Sequence, residues 1–294
     1  MRGVSCLSLK RKRPFRVGRF FAYFVLILLA ILFIFPYVYL ILASFKTPEA
    51  LAEPGFNLFP TQNGHLHFTL ENYTYAMQSL NLASTFLVTM FVCVVNTALN
   101  LILNAAAGYA LARLEFAGKK VVLPMILVAM TLPGAIMTIP NLIICQVLGI
   151  IDTIWVLILP FIMSMYNVFL MRQQFLSLSK DLEEAAEMDG AGPIRIFFTI
   201  CLPLVSPMLV VLGITTFMWN YNNFMWTIMA IPTNTGIWTL ARTLGDLFSA
   251  GSSDWNRYPQ MLAGSVITSL PLIIIFFFLQ RYILEGVSLG GVKE

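Results

Sequence analysis

Charge is scarce in this sequence. Of its 294 residues only 11% are Asp, Glu, Lys or Arg, whereas 59% are hydrophobic. An ordinary soluble domain draws about a quarter of its residues from the charged set. A soluble fold with this composition would expose large apolar patches, and a bilayer is the natural place for them. Histidine is nearly absent. His65 and His67 stand in one loop without a nearby acidic or cysteine set, which is poor material for a metal centre. The four cysteines, Cys6, Cys93, Cys145 and Cys201, are scattered in or beside apolar stretches, and read as buried thiols rather than a disulfide framework or a metal knuckle. No phosphate cradle occurs. Gly118-Lys119-Lys120 lacks both the upstream Gly and the following Ser/Thr of a P-loop. No nucleophile–base set, carboxylate pair or nucleic-acid surface stands out, and there is no internal repeat of fixed period.

What the sequence has is long apolar runs. A spanning helix needs roughly 20 mostly apolar residues. Six stretches qualify, at residues 20–44, 86–111, 121–139, 153–171, 204–231 and 261–283. The first follows a basic leader, residues 1–19, with Arg2, Lys10, Arg11, Lys12, Arg13, Arg16 and Arg19. It is too long for a signal-peptide core of roughly 7–15 residues and has no small-residue cleavage site, so it reads as an uncleaved anchor. The Lys/Arg bias sets the orientation. With the leader inside, six crossings return a tail, residues 284–294, to the same side. The inside segments then also hold Arg113, Lys119, Lys120, Arg172, Lys180, Arg195, Arg281 and Lys293, against Lys46, Arg242 and Arg257 outside. The basic leader fits this topology and an anionic lipid surface. The outside segments 46–84 and 232–260 carry turn and breaker residues and read as modest polar loops, the second around Ala250-Gly251-Ser252-Ser253. The expected fold is an all-α polytopic membrane protein, with one six-helix transmembrane domain at residues 20–283.

One segment, residues 172–203, departs from this pattern. It holds Lys180, Asp181, Glu183, Glu184, Glu187, Asp189 and Arg195. Ser179 is a good N-cap, and Asp181, Glu183 and Glu184 follow where a helix dipole favours acids. Leu182, Ala185, Ala186 and Met188 form a shallow apolar face. Gly190 is placed to end the helix in a left-handed conformation, and Pro193 to open a second helix. Ile194, Ile196, Phe197 and Ile200 give that helix an apolar side. The prediction is helix, sharp turn, helix. Read from these features alone, it is an ordinary amphipathic connector.

The residue pattern adds more. Glu184-Ala185-Ala186, then Gly190, then Ile200-Cys201-Leu202-Pro203 resembles the signature loop of ABC importer permeases, and Glu183, Asp189-Gly190-Ala191 and Pro207 match as neighbours. Ser44-Phe45-Lys46, Glu71-Asn72-Tyr73, Leu279-Gln280-Arg281-Tyr282 and the tail resemble the smaller permease of the maltose-type, carbohydrate-transporting branch. Ser179 departs from a usual Pro, and Tyr221 and Thr227 from a common Trp and Pro. The resemblance implies the type I importer permease fold, with six transmembrane helices and a cytoplasmic coupling helix. It also implies a multi-pass protein of a bacterial or archaeal cytoplasmic membrane, with both termini inside. Glu184, Ala185, Ala186, Asp189, Gly190, Ala191, Leu202 and Pro203 would dock on an ATPase subunit. The implied partners are a second permease, two ATP-binding subunits that carry ATP and Mg, an extracellular solute-binding protein and a sugar.

Polar residues in the apolar runs are the candidates for a substrate pathway. Asn96, Asn100 and Asn104 recur at every fourth position, on one helix face. Either they bond between helices, or Asn96 and Asn100 line a pathway. Trp219, Asn220, Tyr221, Asn222, Asn223 and Trp226 combine aromatic faces with amides, which suits a sugar or an interfacial belt. Tyr166 and Asn167 are further candidates. Pro133 and Pro140 are placed to kink or break the third run. A phosphorylated polyol would favour fixed Arg or Lys in the pathway, and an ion-coupled carrier intramembrane Asp, Glu or His. Apart from Arg281 at the inner end of the sixth run, the runs offer neither.

Overall fold

The computed structural model describes residues 17–62, 64–232 and 236–290. The leader through Arg16, and Lys293 in the tail, lie outside the described residues. The helices in order are α1 (Val17–Ser44), α2 (Pro48–Ala52), α3 (Glu71–Ser79), α4 (Leu82–Arg113), α5 (Lys119–Thr131), α6 (Gly134–Val147) and α7 (Trp155–Ile158). They continue with α8 (Met165–Ser177), α9 (Asp181–Met188), α10 (Pro193–Ile196), α11 (Leu202–Leu204), α12 (Ser206–Tyr221), α13 (Phe224–Ala230), α14 (Leu240–Ser253) and α15 (Tyr258–Gly290). A 3-10 turn, Leu159–Phe161, extends α7, and a π-helical turn, Phe197–Cys201, joins α10 to α11. A two-residue antiparallel ladder pairs Thr61 with Leu66 and Gln62 with His65.

Three helical segments, Phe20–Ser44, Leu82–Arg113 and Trp255–Phe278, are long and apolar enough to cross a membrane as single pieces. They correspond to the first, second and sixth apolar runs. At 1.5 Å per residue, the 32 residues of α4 reach about 48 Å, longer than a hydrocarbon core of about 30 Å. The other runs are broken. The third run, 121–139, is not one straight crossing: α5 and α6 meet at a 110° bend at Leu132-Pro133. Pro133 causes the break by standing at the α6 N-cap with extended backbone, whereas Pro140 lies inside α6 without ending it. In the fourth run the α7 segment and α8 meet at 45°, and α10–α11 enter α12 at 79°. The segment 232–260 holds the 14-residue helix α14 where the sequence reading placed a loop.

The body forms around α4, which lies against α8 on one side and α12 on another. The α4–α8 approach is close because of Gly108. A Cβ built there would lie 2.7 Å from Met171 Cβ and 2.9 Å from the Arg172 backbone N, the small-residue contact that membrane helices use to bring backbones together. The helix α15 packs against α1, α3, α12 and α14, with Leu80 after α3 and Leu247 of α14 meeting at Met261. Residues 20–35 of α1 are exposed on every face, as a helix facing lipid would be, while its last turn is buried at Ala43 and Ser44. Two of the motifs that carried the resemblance meet at its end. Asn72 Nδ2 donates to the carbonyls of Ser44 (2.9 Å) and Lys46 (2.8 Å), and the Ser44 hydroxyl lies 2.6 Å from the Tyr73 hydroxyl. Asn72 thereby satisfies carbonyls that the end of α1 leaves free.

Candidate functional site

The charged segment forms the predicted helix–turn–helix, with differences at its start. Lys180, one residue after Ser179, is the N-cap of α9, and its carbonyl receives the amides of Glu183 and Glu184. The Ser179 hydroxyl still accepts the Asp181 N–H at 3.3 Å. Gly190 has φ +81°, in the left-handed region. Its N–H donates to Glu187 O (2.9 Å) and that of Ala191 to Ala186 O (2.9 Å), the paired bonds of a Schellman turn. No atom lies within 4 Å of where a Cβ on Gly190 would be, so the glycine serves the backbone angle alone. Gly192 caps α10 and Pro193 occupies its first turn.

The faces of this motif divide differently from the sequence reading. Ala186, Ala191 and Leu202 pack against a buried core of Ala105, Tyr109, Met171, Phe175, Ile196 and Phe197. Leu182, Ala185 and Met188 of the shallow apolar face, and Ile194 of the second helix's apolar side, point to solvent, with Met188 88% exposed. Glu184, Asp189, Gly190 and Pro203 lie on the exposed side as well. The adjacent Glu183 turns inward and is only 9% exposed. Its Oε1 lies 2.6 Å from Arg113 Nε at the end of α4, a close ion pair that is not aligned as a hydrogen bond. Tyr109 O–H reaches Glu183 Oε2 at 3.5 Å, and Arg113 Nη2 donates to Leu178 O at 2.8 Å. The sequence reading missed this anchor. It had used Arg113 only to orient the chain, and the available signal was a cation closing an apolar run beside an acidic loop.

The asparagine stripe is a buried network. Asn96, Asn100 and Asn104 are at most 2% exposed. Asn96 Nδ2 donates to Ile158 O (2.8 Å), Asn100 Nδ2 to Phe161 O (3.0 Å) and Asn104 Nδ2 to Ile162 O (3.3 Å), while Asn104 Oδ1 accepts Ser164 N–H (2.9 Å). The Phe161 and Ile162 carbonyls and the Ser164 amide stand at the break between the α7 segment and α8, where a helix ends and polar backbone in an apolar medium needs a substitute partner. The network extends to other helices. Asn167 Nδ2 donates to Asn100 Oδ1 (2.8 Å) and to Thr216 Oγ1 (3.2 Å), and Asn220 Nδ2 donates to Asn96 Oδ1 (2.8 Å). Asn96, Asn100, Asn167 and Asn220 were grouped above with the pathway candidates. Here they are interior ties, because their amides are spent on one another and on the broken helix. Trp226 joins them, 5% exposed, with its indole N–H on Val156 O at 2.9 Å.

Other candidates reach open space. Tyr166 and Trp219 are 57% and 51% exposed. The fifth run breaks at Asn222-Asn223, between α12 and α13. A cavity of about 530 Å³ is lined there by Met218, Trp219, Asn222, Asn223, Phe224 and Met225. A second, of about 560 Å³, shares Asn222 and Phe224 and is walled by α14 and α15. Tyr221 contributes its ring to the second cavity, while its hydroxyl is engaged on Thr268 O at 2.7 Å. Among the described residues no group of three or more His, Cys, Asp or Glu is placed to hold a metal.

Apolar helices, broken spans tied by buried amides, and an exposed charged helix–turn–helix define an integral membrane transport subunit. The chain belongs to the family described as binding-protein-dependent transport system inner membrane component, whose model matches residues 104–288. It is 34% identical over 266 residues to the arabinooligosaccharides transport system permease protein AraQ of Halalkalibacterium halodurans, covering 90% of this chain and 93% of that one. With the protein of the same name from Bacillus subtilis it shares 32% identity, covering 97% and 99%. Its fold matches a chain in the crystal structure of a bacterial ABC transporter involved in the import of the acidic polysaccharide alginate, with TM-score 0.76, 23% identity, and coverage of 91% of this chain and 98% of that one.

Proposed function

We propose that this chain is the permease subunit of an ATP-driven ABC importer and forms part of the path of a carbohydrate delivered by an extracellular binding protein. It crosses the membrane six times, each bent helix pair within a run counting as one span, with both termini and residues 172–203 in the cytoplasm. The Lys/Arg distribution supports that orientation. The α9–α10 motif docks on an ATPase subunit, where ATP and Mg are bound, and a second permease completes the path.

One observation carries this reading. The motif is rooted in the body through Glu183, Ala186, Ala191 and Leu202, yet presents Leu182, Glu184, Ala185, Met188, Asp189 and Ile194 to solvent. A connector with no partner has no reason to leave that many apolar side chains exposed beside acids. Apolar contacts rimmed by Glu184 and Asp189 fit a cleft with basic edges. Closure of an ATPase pair would move this surface and rock the spans between inward- and outward-facing states. The carbohydrate reading rests on the arabinooligosaccharide relatives and on the open face of Trp219 beside Asn222 and Asn223, which offers ring stacking and amide hydrogen bonds. A phosphorylated polyol fits less well, since neither cavity at this break is lined by Lys or Arg.

Purification in mild detergent tests the assembly. An ATPase and a second permease should copurify, and uptake into proteoliposomes should require ATP and the binding protein. A chain that moved arabinooligosaccharides by itself, without ATP, would overturn the reading.

A further inference from the structure

We propose that Arg113 and Glu183 form a strut that makes α9 and the end of α4 move as one body, so that both are positioning residues for coupling; the coupling role rests on the proposed function above. Only three residues, Leu178 to Lys180, link α8 to α9, and the left-handed Gly190 and the α10 cap Gly192 link α9 to α10. Without a cross-tie, α9 could hinge about both links. Arg113 spans the first of them. Its Nε meets Glu183 in the first turn of α9 at 2.6 Å, while its Nη2 holds the Leu178 carbonyl at 2.8 Å, on the α8 side of the link. The side chains of the pair are 6% and 12% exposed, so water screens them little. Tyr109, one turn before Arg113 on α4, roofs the pair. Its ring is wedged 5.5 Å from Phe175 of α8 and 5.2 Å from Phe197 beyond α10. Three helices and the start of the π-helical turn therefore converge on one guanidinium and one carboxylate.

The placement has a mechanical consequence. The same helix α4 carries Asn96 and Asn100, which hold the broken α7–α8 segment and α12 through Ile158 O, Phe161 O, Asn167 and Asn220. A push on α9 thus reaches the membrane interior through α4 directly, in addition to the chain connections into α8 and α12. Glu184, next in sequence, plays no part in this strut and is exposed.

The test is a distance measurement by electron double resonance. Spin labels replace the exposed Glu187 on α9, which is outside the residues assigned to docking, and Leu103 on α4 of the full chain, in a background without the four native cysteines. In the nucleotide-free permease the wild-type distribution should be narrow. Glu183→Gln, which keeps shape and removes charge, and Arg113→Ala should each broaden it about twofold, and Arg113→Lys should recover most of the width. In the copurified complex, trapping with ATP and vanadate should leave the wild-type distance in place and shift it in the two variants. Distributions that stay narrow in both Glu183→Gln and Arg113→Ala would overturn the strut. A wild-type distance that moves on trapping as far as in the variants would overturn its part in coupling. The nucleotide-free arm reads the strut whether or not an ATPase binds, so its failure is separate from failure of the importer reading.

Discussion

Replacing Asn100 with leucine separates a structural tie from a pathway residue. The side chain is 2% exposed and makes two bonds across helices, donating to Phe161 O at 3.0 Å and accepting from Asn167 Nδ2 at 2.8 Å. Leucine is similar in size but can do neither. The Phe161 carbonyl would be left without its partner beside the helix break, at a cost of about 1–3 kcal/mol. Asn167 would keep its bond to Thr216 at 3.2 Å, so its loss is the smaller net value of one hydrogen bond, about 0.5–1.5 kcal/mol. Interhelical bonds measured in a bilayer average about 0.6 kcal/mol, which sets a floor near 1 kcal/mol for the two. The expected loss is therefore about 1–4.5 kcal/mol. For a domain of this size each kcal/mol moves a melting midpoint by about 2–4 °C, so the drop amounts to several degrees. Thermal challenge followed by size-exclusion chromatography in detergent reads this directly. Asn222→Ala, at an exposed side chain that reaches open volume, should do the opposite, lowering uptake with the midpoint unchanged. An Asn100→Leu protein that melts like wild type but fails to transport would refute the reasoning and return Asn100 to the pathway.

Three further outcomes follow from particular contacts. Gly108→Val should destabilise the α4–α8 pair by about 2 kcal/mol or more, because the obstructing atoms are Met171 Cβ and the Arg172 backbone rather than a flexible side-chain end; an unchanged melting midpoint would contradict the close approach. Gly190→Val should strain the left-handed turn by about 1–3 kcal/mol, and Glu184→Lys should reverse an outward charge, so that both lower ATPase copurification or uptake per ATP hydrolysed while membrane insertion persists; coupled uptake at the wild-type level in both would reduce the loop to a connector. In intact cells, an impermeant thiol reagent should label a cysteine at the exposed Asn256 and spare one at the exposed Ser179, in a background without native cysteines; the reverse pattern would invert the topology.

The fold was legible where hydropathy alone decides. The helices α1, α4 and α15 follow directly from uninterrupted apolar runs, since length and composition are what a bilayer selects. The third run was equally apolar, yet the chain turns by 110° inside it. Proline content could not have located that turn unaided. Pro36, Pro124, Pro140 and Pro271 all lie inside continuing helices, while Pro133 ends one segment and starts the next. What separates them is whether neighbouring groups supply the lost backbone bond, and that is a tertiary property. The helix α14 was missed for a different reason. Its Gly and Ser residues outweighed a sound helical signal: Leu240, Thr243 and Leu247 recur on one buried face, and Arg242 lies 3.7 Å from Asp246 one turn on.

The site divides along the same line. The turn at Gly190 and the helix start at Pro193 depend on the backbone preferences of two residues, so the order of residues foretold them. The direction of a side chain does not follow in that way. Glu183 and Glu184 are neighbours of identical chemistry, and successive positions on a helix point about 100° apart. One therefore turns toward α4 when the other faces out, and nothing in a Glu-Glu pair says which. The decision is made by Arg113, 70 positions earlier in the chain, where the end of α4 leaves a buried cation that must be compensated. The same holds for the asparagines. Their spacing fixed a shared face of α4, but the break between α7 and α8 decided what that face meets. The Phe161 and Ile162 carbonyls at that break, with the Ile158 carbonyl just before it, draw the amides inward and hold them there. Asn222 and Asn223, at the break between α12 and α13, face open volume instead, where the chain places amides beside Trp219.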